Sequence, residues 1–300
     1  MSEQRDPRLV SGLAMAVAGA IAFSGKAIIV KLAYRHEVDA VTLIMLRMLF
    51  ALPLFAGMAW WASRGKPALS RADWLGVIGL GVSGYYLASF LDFAGLQYIS
   101  ASLERLILYL NPTLVMLLGW ILYRKSLEPR QFAGMAISYA GVIWVFGQEV
   151  RLEGANVALG AMLVFASAVS YAVYLVYSGR MVQRLGALRL VGLATSVACV
   201  CCIVQFLLLR PVASAFEVAP PVIWLSVLNA IACTAVPVLL VMMAIERIGP
   251  AMAAQTGMVG PMSTILMGVL ILGEPFTAGI AAGTVLVIAG IFVFSRAARA

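Results

Sequence analysis

Histidine is nearly absent from this 300-residue chain, with His36 the only one. A histidine-based catalytic triad or a multi-histidine metal site therefore cannot be assembled within one copy. Charge is scarce too, at 11% of residues. The four cysteines, Cys199, Cys201, Cys202 and Cys233, all lie inside apolar runs. They read as small packing residues rather than a disulfide framework or zinc site. No Gly-x-x-x-x-Gly-Lys-Ser/Thr string is present, so direct ATP hydrolysis is not expected. Asp92 is the only aspartate expected deep in an apolar run, so a two-aspartate intramembrane dyad cannot form. These gaps argue against an enzyme, and no cofactor or metal is expected. The net charge is +8, but no helix or loop gathers Lys and Arg into a basic stripe with aromatics. Nucleic acid is therefore not an expected partner.

What is plentiful is apolar surface. Hydrophobic residues make up 63% of the chain and mean hydropathy is +1.00. A soluble domain of this size cannot hide so much, so the bilayer must be the solvent. Ten apolar runs can cross a hydrocarbon core of about 30 Å: 10–32, 41–62, 73–96, 101–122, 130–147, 157–178, 189–209, 221–244, 250–272 and 277–295. Arg5 and Arg8 before the first run look signal-like, but the run continues to about Leu32 and reads as a retained helix. The gaps are short, and only Gln148 to Asn156 is long and polar enough to join two halves.

Basic residues set the orientation. Arg5, Arg8, Arg64, Lys66, Arg71, Arg124, Lys125, Arg130, Arg180, Arg184, Arg189, Arg247, Arg296 and Arg299 fall on one side of the runs, against Lys31, Arg35, Arg151 and Arg210 on the other. Both termini are expected in the cytoplasm, with membrane lipid as the surrounding partner.

The chain is also written twice. Pro112 is matched by Pro261, Gly119 by Gly268, Gly134 by Gly283 and Gly141 by Gly290, each pair 149 residues apart. Upstream, Trp74-Leu75-Gly76-Val77 resembles Trp224-Leu225-Ser226-Val227, and Ala22-Phe23-Ser24 sits where Ser170-Tyr171-Ala172 sits. Such self-similarity marks a duplicated unit. The expected domains are residues 1–148 and 149–300, within one all-α membrane protein of ten transmembrane helices. Five spans per repeat turn the second copy upside down relative to the first, the arrangement of many transporters.

These residues resemble a known family. Phe23-Ser24-Gly25 … Lys31, Arg47, Ser100-Ala101-Ser102 … Asn111-Pro112 with Gly134 and Gly141, and Pro261 … Glu274 … Gly283 … Gly290 stand in the order of motifs of the drug/metabolite transporter superfamily, in its ten-helix EamA-type branch. The likeness covers nearly the whole chain. It implies export of small metabolites and is similar to bacterial amino-acid exporters, including the YddG-type exporters of aromatic amino acids. Where the family commonly has Glu after the fourth helix, this chain has Lys125, whereas Glu274 keeps that acid in the second half.

Polar side chains in membrane helices are costly and tend to face a bundle interior or a water-filled cavity. Ser167, Ser170, Tyr171, Tyr174 and Ser178 share one face of the sixth run; Tyr85, Ser89 and Asp92 share one face of the third, with Tyr86 beside it. Glu104 and Asn111 share a face of the fourth, the eighth offers Asn229 and Cys233, and the ninth offers Gln255, Thr256 and Ser263. The expected substrate-binding set is Ser24, Tyr85, Tyr86, Ser89, Asn111, Tyr171, Tyr174, Asn229 and Gln255. Aromatic walls suit flat apolar bodies and cations. The plainer reading is hydrogen bonding between helices as packing glue.

At about 1.5 Å per residue, Tyr85, Asn111, Ser167 and Asn229 fall near mid-depth, while Lys26, Arg47, Asp92, Glu104 and Arg105 share the outer third. That cluster is either a structural ion network or a gate with a titratable carboxylate. Pro112 and Pro261, at matched positions, each remove a helical hydrogen bond and permit rocking; with Lys26, Arg47, Asp92 and Glu104 they form the gating or coupling set. Gly279 and Gly283 form a Gly-x-x-x-Gly face that packs within a monomer or in a weak homodimer.

The leading expectation is a secondary transporter exporting small metabolites, amino acids above all, by alternating access around a central cavity. A flippase for a lipid-linked carrier is the alternative, and an intramembrane enzyme lacks convergent catalytic groups.

Overall fold

The computed structural model describes residues 7–123, 129–153, 156–256 and 259–297. Among them there are helices and no strands. Lipid offers no hydrogen bonds to a backbone, so a spanning segment must satisfy its own N–H and C=O groups, which a helix does.

The helices are α1 (Pro7–Tyr34), α2 (Ala40–Ser63), α3 (Arg71–Leu80), α4 (Ala88–Gly95), α5 (Ala101–Leu108), α6 (Asn111–Tyr123), α7 (Pro129–Glu153), α8 (Asn156–Leu185), α9 (Ala187–Leu209), α10 (Pro220–Ala230), α11 (Val236–Thr256), α12 (Val259–Met267) and α13 (Ala278–Ala297). Three π-helical segments lie in the series: Gly81–Leu87 joins α3 to α4, Ile231–Ala235 joins α10 to α11, and Gly268–Leu272 follows α12. Seven helical stretches among the described residues are long and apolar enough to cross a membrane, and Val259–Leu272 and Ala278–Val293 are shorter apolar helices. The 25-residue α7 is more polar, diluted by Gln131, Ser138, Tyr139 and Gln148.

Two boundaries differ from the sequence expectation. The polar stretch taken as the joint between halves is helical as far as Glu153, because α7 continues past Gln148. The expected gap at 245–249 is helical as well, within α11. Hydropathy locates lipid-facing residues, whereas helical hydrogen bonding continues into polar sequence wherever no cap or turn residue stops it.

The chain folds as two compact units, each drawing on both halves. The first holds Met1–Ala68 and Gly186–Leu272, hence α1, α2 and α9 to α12. In it α2 and α9 run antiparallel. The Cβ that Gly192 lacks would lie 2.8 Å from the Ala59 nitrogen, and Cys199 Sγ lies 3.6 Å from Met48 Sδ. Arg189 closes one end by donating to Ser63 Oγ and the Pro67 carbonyl. At the other end, Asp39 caps α2 by accepting from the N–H groups of Val41 and Thr42. Burial would raise the Asp39 carboxyl, but the Thr42 hydroxyl and N–H, the Arg210 guanidinium and the Val41 N–H together hold it below its ordinary value.

The second unit holds Leu69–Leu185 and Gly273–Ala300, hence α3 to α8 and α13. Its α7 and α13 pack so closely that a Cβ on Gly141 would sit 2.7 Å from the Gly283 carbonyl, and one on Gly290 would sit 2.6 Å from the Gly134 carbonyl. Gly134 pairs with Gly283 in the duplication and Gly141 with Gly290, so the two contacts exchange partners. Ser138 Oγ, between them, donates to the carbonyl of Val287, its own counterpart 149 residues on. Reciprocal contact between antiparallel equivalent helices is what an inverted duplication produces. The Gly-x-x-x-Gly face of α13 is spent here, within the chain: Gly279 packs on Gln148 and Gly283 on Gly141.

Candidate substrate site

Three expected tyrosines meet in the second unit. The Tyr85 and Tyr174 hydroxyls are 3.0 Å apart with their rings edge-on at 5.1 Å, and Tyr171 stacks on Tyr174 at 5.4 Å. The first π segment makes this possible. It widens the helix at Gly84, whose missing side chain admits the Tyr174 ring. The neighbouring serines do another job: Ser170 Oγ donates to the Ser83 carbonyl at 2.7 Å, Ser167 Oγ to the Ala88 carbonyl at 2.6 Å, and Ser178 Oγ to the Leu175 carbonyl. The Ser170 and Ser167 hydroxyls act as glue between α8 and main chain in and just after the π segment, whereas Ser178 bonds back within α8 itself. Tyr86 is half-buried on the same segment, and Ser89 is half-buried at the start of α4.

Asn111 begins α6 at a break in the fourth span, where Tyr109 and Leu110 leave the helix. Its Oδ1 is buried and accepts no hydrogen bond. Pro112 therefore sits in the first turn of α6 rather than mid-helix, where its missing N–H costs little.

In the first unit, Ser24 is buried, and its hydroxyl is 2.8 Å from both the Ala20 and Gly260 carbonyls, the latter one residue before Pro261. Asn229 reaches the Lys26 carbonyl at 3.5 Å and its carbonyl accepts from Thr234 Oγ1 at 2.9 Å. The side chain of Gln255 lies outside the described residues. Lys26 and Arg47 belong to this unit, while Asp92, Glu104 and Arg105 belong to the other. All five are buried, Glu104 completely.

The clearest electrostatic arrangement is one that sequence reasoning missed. The N–H groups opening α5 are held by two carboxylates from distant segments. Glu149, at the end of α7, accepts from the Ser100 N–H at 3.2 Å and from the Ser100 hydroxyl. Glu274, in the turn before α13, accepts from Ala101 N at 2.7 Å, Ser102 N at 3.2 Å and Ser102 Oγ at 2.6 Å. Gly273, with φ of 73°, makes the turn that aims Glu274 at the helix. The family motif singled out Glu274, but only the fold shows that its task is to cap a helix and complement its dipole. Glu149 was read as loop, so its role left no sequence signal.

The comparisons with known proteins agree with this architecture. The model of the EamA-like transporter family matches twice, over residues 10–147 and 158–296. The uncharacterized transporter YcbK of Bacillus subtilis is 30% identical over 273 residues, covering 88% of this chain and 86% of the relative. The uncharacterized transporter YetK of the same organism is 24% identical over 291 residues, covering 94% and 86%. A solved crystal structure, 20% identical, superposes with a TM-score of 0.63 over 97% of this chain and 98% of its own, a likeness of fold. The duplication, the apolar helices and the double family match together place the chain in the EamA-like transporter family, as a multi-pass membrane transporter and not an enzyme.

Proposed function

We propose that the protein exports small metabolites, amino acids including aromatic ones, across the bacterial inner membrane. Export proceeds by alternating access, with ten spans arranged as repeats 1–148 and 149–300 and both termini in the cytoplasm. The observation that carries this reading is the Tyr85–Tyr171–Tyr174 cluster, aromatic surface with two paired hydroxyls at a π-helical turn. Such a surface suits a flat apolar side chain beside a polar group. Asn111, at a helix break with an open acceptor, offers a place for a solute donor such as an ammonium group. The π segments and the break before Pro112 are points where helix halves can move, with Pro261 as the second-half counterpart of Pro112. Lys26, Arg47, Asp92 and Glu104 serve as a gate.

Proteoliposomes loaded with labelled phenylalanine, tryptophan, alanine and serine test the proposal. Tyr85→Ala and Asn111→Ala are expected to slow efflux of the bulky amino acids more than of the small ones at equal protein levels. The same efflux from both variants as from the parent, across the whole panel, removes the site from these residues. No efflux of any amino acid by the parent removes the substrate class.

A further inference from the structure

One face of α2 looks away from the rest of the chain. Pro53, Gly57, Trp60 and Arg64 follow one another at spacings of four, three and four residues, so they lie along one stripe of the helix. All four are exposed. Trp60 is 64% exposed and its neighbour Trp61 63%. At the end of the stripe the Arg64 guanidinium lies over the Trp60 ring, 3.7 Å from its centroid.

The surrounding turn holds Arg64 in place. The Arg64 N–H donates to the Trp61 carbonyl at 3.2 Å, and Gly65 then turns the chain at a φ of 69°. From α9, Arg189 grips both sides of that turn, donating to Ser63 Oγ at 3.1 Å and to the Pro67 carbonyl at 3.0 Å. Arg189 is committed to the turn, whereas the Arg64 charge is left for an outside partner. Among the described residues no carboxylate pairs with it. Neither 54–68 nor 186–195 contains an Asp or Glu. A guanidinium resting on an indole keeps its N–H donors at the rim of the stack. A phosphate can take two of them at once.

A glycine inside a helix weakens it relative to alanine. Gly12, Gly19 and Gly192 offset this by admitting a neighbouring helix, whereas nothing lies within 4 Å of the Cβ that Gly57 lacks. Seven residues of helix put this open notch about 10 Å below Arg64. The stripe therefore runs from a cation through an aromatic shelf to an apolar notch. A phospholipid runs the same way, from phosphate through the interfacial region to acyl chain, and tryptophan belongs at that interface. A soluble anion would leave the notch unused. A headgroup with an ammonium would find no acid here to receive it, so the charge pattern favours a headgroup that is negative overall.

We propose that this stripe of α2 is a binding site for an anionic phospholipid, with its phosphate on Arg64 and an acyl chain against Trp60 and Gly57. The site is independent of the transported solute.

The purified protein in detergent is titrated with phosphatidylglycerol and phosphatidylcholine of identical acyl chains, and bound lipid is counted by native mass spectrometry. Phosphatidylglycerol is expected to bind at least about fivefold more tightly, the effect of one cation at an anionic surface. Arg64→Gln is expected to remove that preference. Arg180→Gln, at an exposed cation on α8, removes the same charge elsewhere and should leave it intact. Gly57→Leu fills the notch with a better helix former, so phosphatidylglycerol binding should weaken while the melting midpoint holds or rises. All three substitutions are at exposed positions, so the fold is not at stake. Equal affinities for the two lipids in the parent, a preference that survives Arg64→Gln, or binding untouched by Gly57→Leu overturns the site. A parent that elutes as a dimer, and as a monomer once Gly57→Leu is made, gives the stripe to a second copy of the chain and also overturns it.

Discussion

Replacing Glu274 by alanine tests the double cap on α5. The carboxylate accepts from the N–H groups of Ala101 and Ser102 and from the Ser102 hydroxyl. Nothing within the helix can replace it, since the first four N–H groups of any α-helix lack internal partners. Ala101 and Ser102 are 0% and 3% exposed, so water does not easily take its place. A lost N-terminal cap costs about 0.5–2 kcal/mol, and a buried donor left without an acceptor costs about 1–3 kcal/mol. These overlap, and Glu149 still holds Ser100, so the expected loss is roughly 2–4 kcal/mol. At about 2–4 °C per kcal/mol for a large domain, the melting midpoint in detergent should fall by roughly 4–16 °C. Glu274→Gln keeps one acceptor oxygen and should lose about half as much. Glu217→Ala, at an exposed carboxylate, serves as the control and should melt with the parent. An alanine variant that melts within about 1 °C of the parent would refute the cap.

Further expectations concern packing, titration and topology. Gly84→Ala puts a methyl group 2.7 Å from Tyr174 Cβ and closer still to its ring, which should destabilise by about 1–3 kcal/mol; adding Tyr174→Ala should relieve the clash in a double-mutant cycle, and strictly additive effects would contradict it. Gly283→Val forces apart helices whose backbones nearly touch at the Gly141 carbonyl, 2.9 Å from the missing Cβ, so folded yield measured by size-exclusion chromatography should drop sharply. The Asp39 carboxyl is held below its ordinary value of 3.8. Its contribution is therefore complete above that value and fades as pH falls through the folded one, so Asp39→Asn should lose stability near neutral pH and show a flatter acid limb in melts. Cysteine labelling should find residue 2 and residue 298 on the cytoplasmic side; an external C-terminus would break the inverted-repeat argument.

Much of the architecture was legible because the signals are local or periodic. A duplication survives as matched prolines and glycines, and the close approach of α7 to α13 follows from glycines that repeat every seven residues on both. The tyrosine cluster was foreseen as a shared polar face, since Ser170, Tyr171 and Tyr174 follow helical spacing. The serines of that face illustrate the limit. Spacing shows which way a hydroxyl points, but whether it meets a solute or a carbonyl depends on what packs opposite, and Ser167, Ser170 and Ser24 all meet carbonyls.

By itself, the sequence determined that the chain is a duplicated, all-helical membrane protein, because solvent and repetition write themselves into composition and period. The tertiary structure alone decided which helices exchange partners, with each compact unit drawing on both halves. It alone placed the π turns, whose extra residue leaves no compositional mark. It alone brought Glu149 and Glu274, 125 residues apart in sequence, to one helix end. Carboxylates capping a helix from afar obey electrostatics in space, and spacing along a chain does not encode distance across a fold.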